Sequence, residues 1–372
     1  MKTRILDRTA VTFDNVLSLV LIALVPGTLV GGDLFQDNGA FTPTVTKDSV
    51  DTARSLAYPG GELPKLGVLR TDRQGHHQSW NTQATTEPAK CHYTIALKEP
   101  MALGTVLLVG QYEVSFLRPD ADPDPNRDAN WTNVPYPGEA GREVRAVPLP
   151  SGTVTKAIRL SAPGILKRDG TFQQSLSLAT AFAGRYVNIS PMAELRVSSN
   201  LQPKSGFRPD PRRCDPETLV DGSLQYTNWS SAQRDQPISA DQPETILLDW
   251  HQLQTMRGCL FLIGAHGSGA GTIVIQQFVG RSDPDALVDD GWQTITEIKP
   301  YHPWRPPLCW EAVAEFGQDI RTRALRFVIP AGLVKEQAVG GEAANPNAMS
   351  FGEILVLQDL HDDPPQPRGI SA

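Results

Sequence analysis

Thr155-Lys-Ala-Ile-Arg159-Leu160 and Thr322-Arg-Ala-Leu-Arg326-Phe327 are two versions of one sequence pattern, one in each half of the chain. In both stretches apolar residues alternate with polar or charged ones, which is the pattern of a half-buried β-strand. The two stretches lie 167 residues apart, a domain-sized distance that is far longer than a solenoid repeat. The pattern therefore predicts that one β-rich unit occurs twice in the chain.

The repetition extends to blocks before and after these strands. In each half a tryptophan follows a polar stretch, two strand-like segments come next, and an Asp-rich turn ends in a second tryptophan. Together with the opening pair, and with the two strand-like segments counted as one block, five blocks keep their order. Turn formers separate the blocks, so we predict an all-β protein of two tandem β-sandwiches. The further pairs are Ser79–Thr82 with Asn228–Ser231, Tyr93–Leu97 with Glu244–Leu248, Gly104–Gly110 with Gly258–Gly264, Ala129–Val134 with Asp290–Ile295, and Ala193–Val197 with Gly352–Val356.

Composition narrows the function classes. The 372 residues include 31 Gly and 31 Pro, and 40% are hydrophobic, which suits folded domains rich in turns rather than a disordered chain. The formal net charge is −7 and there is no basic run, whereas nucleic acids and anionic membranes are bound mainly through positive charge. We therefore expect no nucleic-acid partner and no binding to an anionic membrane surface.

The predicted organisation has four segments. In residues 1–32 the basic residues Lys2, Arg4 and Arg8 precede the apolar run Val16–Val30. This arrangement resembles a secretory signal peptide. The run is shorter than the roughly 20 residues that span a bilayer, so we expect no integral membrane span. The signal implies a secreted or cell-surface protein; the alternative is a first β-strand at Val16–Leu24. The sandwiches are predicted at 33–199 and 200–360, followed by a tail at 361–372.

The blocks of the second half resemble those of the discoidin / coagulation-factor C-type family. The matching residues are Asp221-Gly222 with Trp229, Ile246–Trp250, Ser282-Asp283 with Trp292, Arg323–Arg326, and Gly352–Val356. The first half matches more loosely, because Arg73 follows Asp72 where the family has a glycine. The resemblance implies two tandem galactose-binding-like jelly-roll β-sandwiches. It also implies a non-catalytic protein that binds carbohydrate or another surface ligand through loops at one end of the second sandwich.

The same resemblance implies a structural cation. Many members of the family carry one, usually calcium, near the opening block and the closing glutamate, and the matching residues here are Asp221, Thr227 and Glu353. Calcium prefers several oxygen ligands, which carboxylates and nearby carbonyl or hydroxyl groups supply. The alternative is that Asp221-Gly222 forms only a turn and Glu353 a surface salt bridge.

The second half also contains an added stretch, Lys299–Trp310, in which aromatic residues, a histidine and an arginine stand among prolines. Aromatic rings can stack on the apolar face of a sugar while polar groups bind its hydroxyls. The alternative is that these rings pack against the protein itself. The predicted ligand-binding residues are Tyr301, His302, Trp304 and Arg305, with His251 and His266 as further loop candidates.

No catalytic motif stands out in the sequence. The GxSxG, HExxH, P-loop and dinucleotide-binding motifs are absent, so we predict a binding or adhesion protein rather than an enzyme. One alternative is a structural subunit of an extracellular or cell-surface complex, in which the sandwiches are protein interaction blocks. A hydrolase or lyase is a further and less favoured alternative, because fold resemblance alone does not define function.

Overall fold

The structure is a computed structural model that describes residues 44–45, 48–60, 80–135, 144–176, 178–202, 211–223, 229–263, 270–299, 310–333 and 345–361. The predicted signal segment 1–32 and residues 362–372 of the predicted tail lie outside these ranges. Within them, the regular structure consists of β-strands and short 3₁₀ helices, so the prediction of an all-β fold is confirmed. None of the described helices has the length and hydrophobicity to cross a membrane. The 3₁₀ helices are Asp128–Asn130, Ser190–Met192, Pro211–Cys214 and Pro216–Leu219.

The first half of the described chain contains strands β1 to β12. Five of them form an antiparallel sheet in the order β1-β3-β8-β5-β6, and three form a second sheet in the order β12-β4-β7. The strands are β1 Leu56–Tyr58, β2 Trp80–Asn81, β3 Lys90–Ala102, β4 Thr105–Val109, β5 Glu113–Leu117, β6 Trp131–Asn133, β7 Val144–Pro148, β8 Val154–Pro163, β9 Ile165–Leu166, β10 Phe172–Gln173, β11 Ser175–Leu176 and β12 Leu178–Phe182.

The two larger sheets of the first half enclose one core. Tyr93 and Ile95 of the five-stranded sheet and Val106 and Leu108 of the three-stranded sheet belong to the same buried apolar cluster. Successive residues of a strand point to opposite faces, so these alternate positions mark the inner face of each sheet. Because both inner faces contribute to one core, this half is a β-sandwich.

The second half contains strands β13 to β19, paired in the order β13-β19-β15-β18-β16-β17, with β14 also paired to β15. The first part of β15 pairs with β14 and the end of β18, and its last part pairs with β19 and the start of β18. Register shifts separate the two parts, and both contribute to one core, so the sheet folds over itself. The strands are β13 Tyr186–Asn188, β14 Glu194–Val197, β15 Glu244–Ile263, β16 Ala270–Phe278, β17 Trp292–Ile298, β18 Trp310–Gly332 and β19 Glu353–Asp359.

The two halves repeat the same side-chain contacts. Buried Arg159 stacks over Trp131 at 5.0 Å from the ring centroid, and buried Arg326 stacks over Trp292 at 4.8 Å. In both halves the indole N–H donates at 2.9 Å to the backbone oxygen of the aspartate seven residues earlier. These matched contacts are what two copies of one unit would make, and we propose that the halves are such copies.

The strand pairing corrects the alignment of the copies. Arg159 lies opposite Thr94, and its counterpart Arg326 lies opposite Leu247, so β3 and β15 correspond with an offset of 153 residues. The sequence alignment of Tyr93–Leu97 with Glu244–Leu248 is therefore wrong by two residues. The alignment of Gly104–Gly110 with Gly258–Gly264 is wrong by one residue. A slip of one residue matters because it places every side chain of the strand on the opposite face.

The block aligned as the closing strand of the first half is also wrong. β14 pairs with β15 in the second half, whereas β12 pairs with β4 in the way that β19 pairs with β15. The counterpart of β19 is therefore β12, and Leu178 rather than Glu194 stands at the position of Glu353. Since β13 also pairs with β19, we propose a boundary between β12 and β13 instead of at 199/200.

An apolar cluster joins the two halves. Leu107 and Ala146 from the three-stranded sheet pack with Leu260 and Leu355 from β15 and β19. Leu107 and Leu260 lie on the outer faces of their strands, since their neighbours Val106 and Phe261 belong to the two separate cores. The halves therefore share a buried interface as well as a chain connection.

Candidate functional site

An open cleft of about 870 Å³ lies on the outer face of the second half. Ser198, Thr245 and Val328 lie side by side and form its floor. Ile246 points into the core, so its neighbour Thr245 points outward. Loop residues 234–236 and 240–243 line one wall, and Ala286, Leu287 and Asp289 line the other.

The equivalent place in the first half holds two larger side chains, Tyr58 and His92. Tyr58, His92 and Ser161 occupy the positions of Ser198, Thr245 and Val328, as the pairing of the strands shows. The imidazole Nδ1 of His92 is hydrogen-bonded to the Ser161 hydroxyl at 2.8 Å, and the Tyr58 ring lies 6.1 Å from the imidazole ring. Ser198 and Thr245 are smaller than Tyr58 and His92 and leave open the space that these two rings occupy, although Val328 is larger than Ser161.

A longer loop adds a wall to the cleft. Ser231 and Thr82 are equivalent, because each pairs through its backbone N–H and its hydroxyl with the residue that lies four positions before the last strand of its half, Met349 and Gln174 respectively. Twelve residues separate Ser231 from Glu244, whereas eight separate Thr82 from the equivalent Cys91. The four additional residues belong to the loop that lines the cleft.

A buried carboxylate holds this loop in place. Glu244 is fully buried and accepts hydrogen bonds from the hydroxyls of Ser198 at 2.5 Å and Ser199 at 2.8 Å. Its other oxygen accepts from Nε of Arg234 at 2.8 Å. Arg234 also donates to the backbone oxygens of Gln242 and Pro243, so its guanidinium ties the two ends of the loop together.

The opposite wall is fixed by Arg326. Its guanidinium donates to the side-chain oxygen of Gln276 at 2.8 Å, to the carboxylate of Asp289 at 2.9 Å and to the backbone oxygen of Ala286 at 3.0 Å. Gln276, Asp289 and Ala286 all line the cleft. Both walls are therefore set by buried or half-buried charged groups, which gives a ligand a preformed surface.

The predicted aromatic site falls outside the described residues. Tyr301, His302, Trp304, Arg305 and His266 all lie there. Their assignment as ligand-binding residues stays a prediction.

His251 was expected in a loop, and that placement is wrong. It lies within β15, at the register shift that follows Asp249, with a φ of 57°. Its Nε2 lies 3.0 Å from Glu194, and its Nδ1 lies 3.5 Å from the buried carboxylate of Asp249. A bulge re-aims the side chain of a strand, and here it brings the imidazole to two carboxylates.

Asp249 is the centre of an ion-pair cluster on the same outer face. Its carboxylate accepts from Nη2 of Arg323 at 3.1 Å and lies 3.6 Å from Nη2 of Arg196. The hydrogen bond to Asp249 raises the pKa of Arg323 above its ordinary value. Arg196 stands on β14 and Arg323 on β18, so the cluster ties both neighbouring strands to β15.

The two described residues of the predicted calcium site are bonded within the protein. Asp221 accepts from Nη2 of Arg212 at 2.7 Å and from the backbone N–H of Ser223 at 2.8 Å. Glu353 is fully buried, and both of its oxygens lie 3.1 Å from the backbone nitrogen of Gly222. Glu353 is therefore buried, whereas a surface salt bridge would need it exposed, and the turn at Asp221-Gly222 is present.

A guanidinium occupies one oxygen of Asp221 in this arrangement. The described part of the chain holds no group of three or more His, Cys, Asp or Glu side chains that could bind a metal ion. Thr227, the third predicted ligand, lies outside the described residues. Calcium at this turn remains a prediction that the family resemblance implies.

Reasoning from the sequence missed the cleft. Two signals were readable in the repeat: the longer loop before Glu244, and a carboxylate at the position of the first half's Cys91. Neither could be read without the correct offset of 153 residues between the strands. The pairing of Tyr93 with Glu244 in the sequence pattern concealed both signals.

Comparison with known proteins gave structural similarity only. No family model matches the sequence, and no curated protein matches it. A fucolectin from striped bass (Morone saxatilis) serum is 11% identical over 82% of this chain and 96% of its own, with a TM-score of 0.30. The CBM32-1 and CBM32-2 domains of ZmpB from Clostridium perfringens are 10% identical over 84% and 94%, with a TM-score of 0.29.

A third solved structure matches about half of this chain. It is a CBM32 module of Clostridium perfringens in complex with GalNAc-β-1,3-galactose, 14% identical over 45% of this chain and 98% of its own, with a TM-score of 0.30. Similarity at this level says nothing about which residues of this chain bind a ligand. The fold and the cleft by themselves define an all-β protein with an open, partly polar surface cleft.

Proposed function

We propose that this chain is a non-catalytic carbohydrate-binding protein and that the cleft of the second half holds the glycan. The observation that carries the proposal is the open polar cleft where the first half has its equivalent space filled by Tyr58 and His92. Sugars are bound through many hydrogen bonds to amide and carboxylate side chains, and Gln236, Gln242 and Gln276 supply such groups here. The solved structures named above, a fucolectin and a module bound to a disaccharide, agree with this class of ligand.

Blocking the cleft should abolish binding. Ala240 is exposed on the loop wall, so an indole in Ala240→Trp would enter the cleft without disturbing the core. We expect the variant to weaken binding of the best ligand from a glycan array by at least about tenfold, which is about 1.4 kcal/mol. The affinity is measured by titration calorimetry on the full chain.

A matched control places the same substitution in the other half. Ala84 is exposed on the shorter loop between Thr82 and Cys91, and Ala84→Trp should leave the affinity unchanged. If Ala240→Trp binds as well as the wild type while Trp304→Ala abolishes binding, the site lies in the predicted aromatic stretch instead. If no glycan on the array binds, carbohydrate recognition itself is wrong.

The alternative of an assembly subunit has one supporting observation. Leu287 is 76% exposed and Val288 is 49% exposed on the loop beside the cleft, and exposed apolar residues are common where proteins meet. Light scattering on the purified chain measures the oligomeric state. A stable oligomer together with an absence of glycan binding would favour assembly over carbohydrate recognition.

A further inference from the structure

The positive charges of the cleft are already neutralised within the protein. Arg234 is paired with the buried carboxylate of Glu244, with 2.7 Å between Nη2 and Oε1, and its remaining described bonds go to backbone oxygens. Arg326 is paired with Asp289 at 2.9 Å. Neither guanidinium is left with a charge to offer to an anionic ligand.

Two negative charges of the cleft are not neutralised. Asp235 and Asp241 are exposed and stand on the loop wall, one beside Arg234 and one beside Gln242. Within the parts of the chain that the structure describes, neither carboxylate has an ion pair or a side-chain hydrogen bond. The open surface of the cleft therefore carries a local excess of negative charge, as does the whole chain with its net charge of −7.

The floor of the cleft contains an unused hydroxyl. Thr245 is 3% exposed, and its Oγ1 has no hydrogen-bond partner among the described residues. Leaving a buried polar atom unpaired is costly, and native structures rarely do so without a ligand or another reason. Thr245 lines the cleft while its Oγ1 is itself buried, so rotation of this side chain to another staggered rotamer would let the hydroxyl bond a polar group of a ligand lying there.

We propose that the cleft selects glycans whose sugars carry free amino groups, with the ammonium groups facing Asp235 and Asp241 and a sugar hydroxyl reaching Thr245. The proposal rests on the proposed function and adds the ligand class. A glycan supplies both features at once, because an amino sugar has a cation and neutral hydroxyls within one ring. A purely basic peptide would match the carboxylates and leave the hydroxyl-binding floor unused.

The test compares two ligands that differ only in the amino group. We expect a β-1,4-linked glucosamine hexamer to bind the full chain about tenfold more tightly than its N-acetylated equivalent, since exposed ion pairs contribute roughly 0.2–1 kcal/mol each and two carboxylates take part. The affinities are measured by titration calorimetry at about pH 6, where the two carboxylates are ionised. The preference should shrink in high salt because exposed charges are screened.

A double variant isolates the two carboxylates. Asp235→Asn together with Asp241→Asn should reduce the preference to about twofold or less, as expected when exposed ion pairs are removed. Binding of the N-acetylated hexamer should stay unchanged. The matched control removes two exposed charges from the first half, Glu87→Gln together with Glu99→Gln, and should keep the full preference.

The outcomes separate this inference from the function on which it rests. Equal binding of both hexamers would overturn the amino-sugar inference and leave carbohydrate binding in place. Hexalysine binding as tightly as the glucosamine hexamer would overturn the choice of a sugar. Preference retained by the double variant would show that Asp235 and Asp241 do not provide it, and binding of no glycan at all would overturn both proposals.

Discussion

Residues at equivalent backbone positions of the two halves have the same structural role in some pairs and different roles in others. Arg159 and Arg326 keep the same role, because each stacks on a tryptophan and bonds to a turn. His92 and Thr245 have different roles, because His92 covers the outer face of its sheet whereas Thr245 forms part of the floor of the cleft. At the residue scale, side-chain size at a few outward positions separates a closed surface from an open one.

His92 should make the stability of the first half depend on pH. Burial, together with the charge of Arg159, lowers the pKa of His92 from 6.5 to about 4. The unfolded chain then binds a proton below about pH 6.5 that the folded chain does not bind until about pH 4, so acid destabilises the fold within that window.

The measurement is the free energy of unfolding by urea at several pH values. We expect His92→Asn to lose less stability than the wild type between about pH 6.5 and pH 4, with a difference in slope of at most about 1.4 kcal/mol per pH unit. Thr52→Asn, at an exposed position that carries no titratable group, is the control and should keep the wild-type slope. Identical slopes for His92→Asn and the wild type would show that His92 does not titrate in this way.

Elements set the positions of the charged groups. The turn at Asp221-Gly222 places the backbone N–H of Gly222 on Glu353, the first residue of β19, and the same turn places Asp221 against Arg212. Gly222 has a φ of 75°, which glycine adopts without strain. The turn thus gives Glu353 a backbone partner at Gly222, and it gives the preceding Asp221 an arginine as partner.

Calcium must compete with that arginine if it binds here. We expect Ca²⁺ to raise the Tm of Arg212→Ala more than that of the wild type, because removal of the guanidinium frees Asp221 for the cation. Differential scanning calorimetry with Ca²⁺ and with a chelator gives the two shifts. If the Tm of neither protein responds to calcium, the calcium prediction is wrong.

At the scale of the whole molecule, the interface between the halves is part of the core. Leu355 is fully buried and Leu260 is 2% exposed, and both pack against residues of the three-stranded sheet. Two units that share buried apolar surface stabilise each other, whereas units joined only by a linker unfold independently. The halves should therefore behave as one cooperative unit.

Calorimetry tests this expectation. We expect the wild type to unfold in one transition and Leu355→Ala to cost about 2–5 kcal/mol and to split or broaden that transition, because the substitution leaves a cavity in the shared interface. Leu166→Ala, at a residue that is 62% exposed, is the control and should unfold like the wild type. Two separate transitions in the wild type would contradict the cooperative coupling.

Local pattern was enough to predict several features. The alternation in Thr155–Leu160 and Thr322–Phe327 predicts strands, and the structure contains them as parts of β8 and β18. The repeat pairs the tryptophans at 131 and 292, and in the structure each packs under a buried arginine. Strand identity follows from the period of apolar residues, which neighbours in sequence determine.

The sequence by itself thus determined the all-β class and predicted the repetition and the residues that mark it. Only the tertiary structure decided the register of the strands, the attachment of β14 to the second half and the cleft. Register depends on hydrogen bonds between residues far apart in the chain, and a shift of one or two residues changes no local pattern. The cleft depends on that register, since Ser198, Thr245 and Val328 become neighbours only when three distant segments pair.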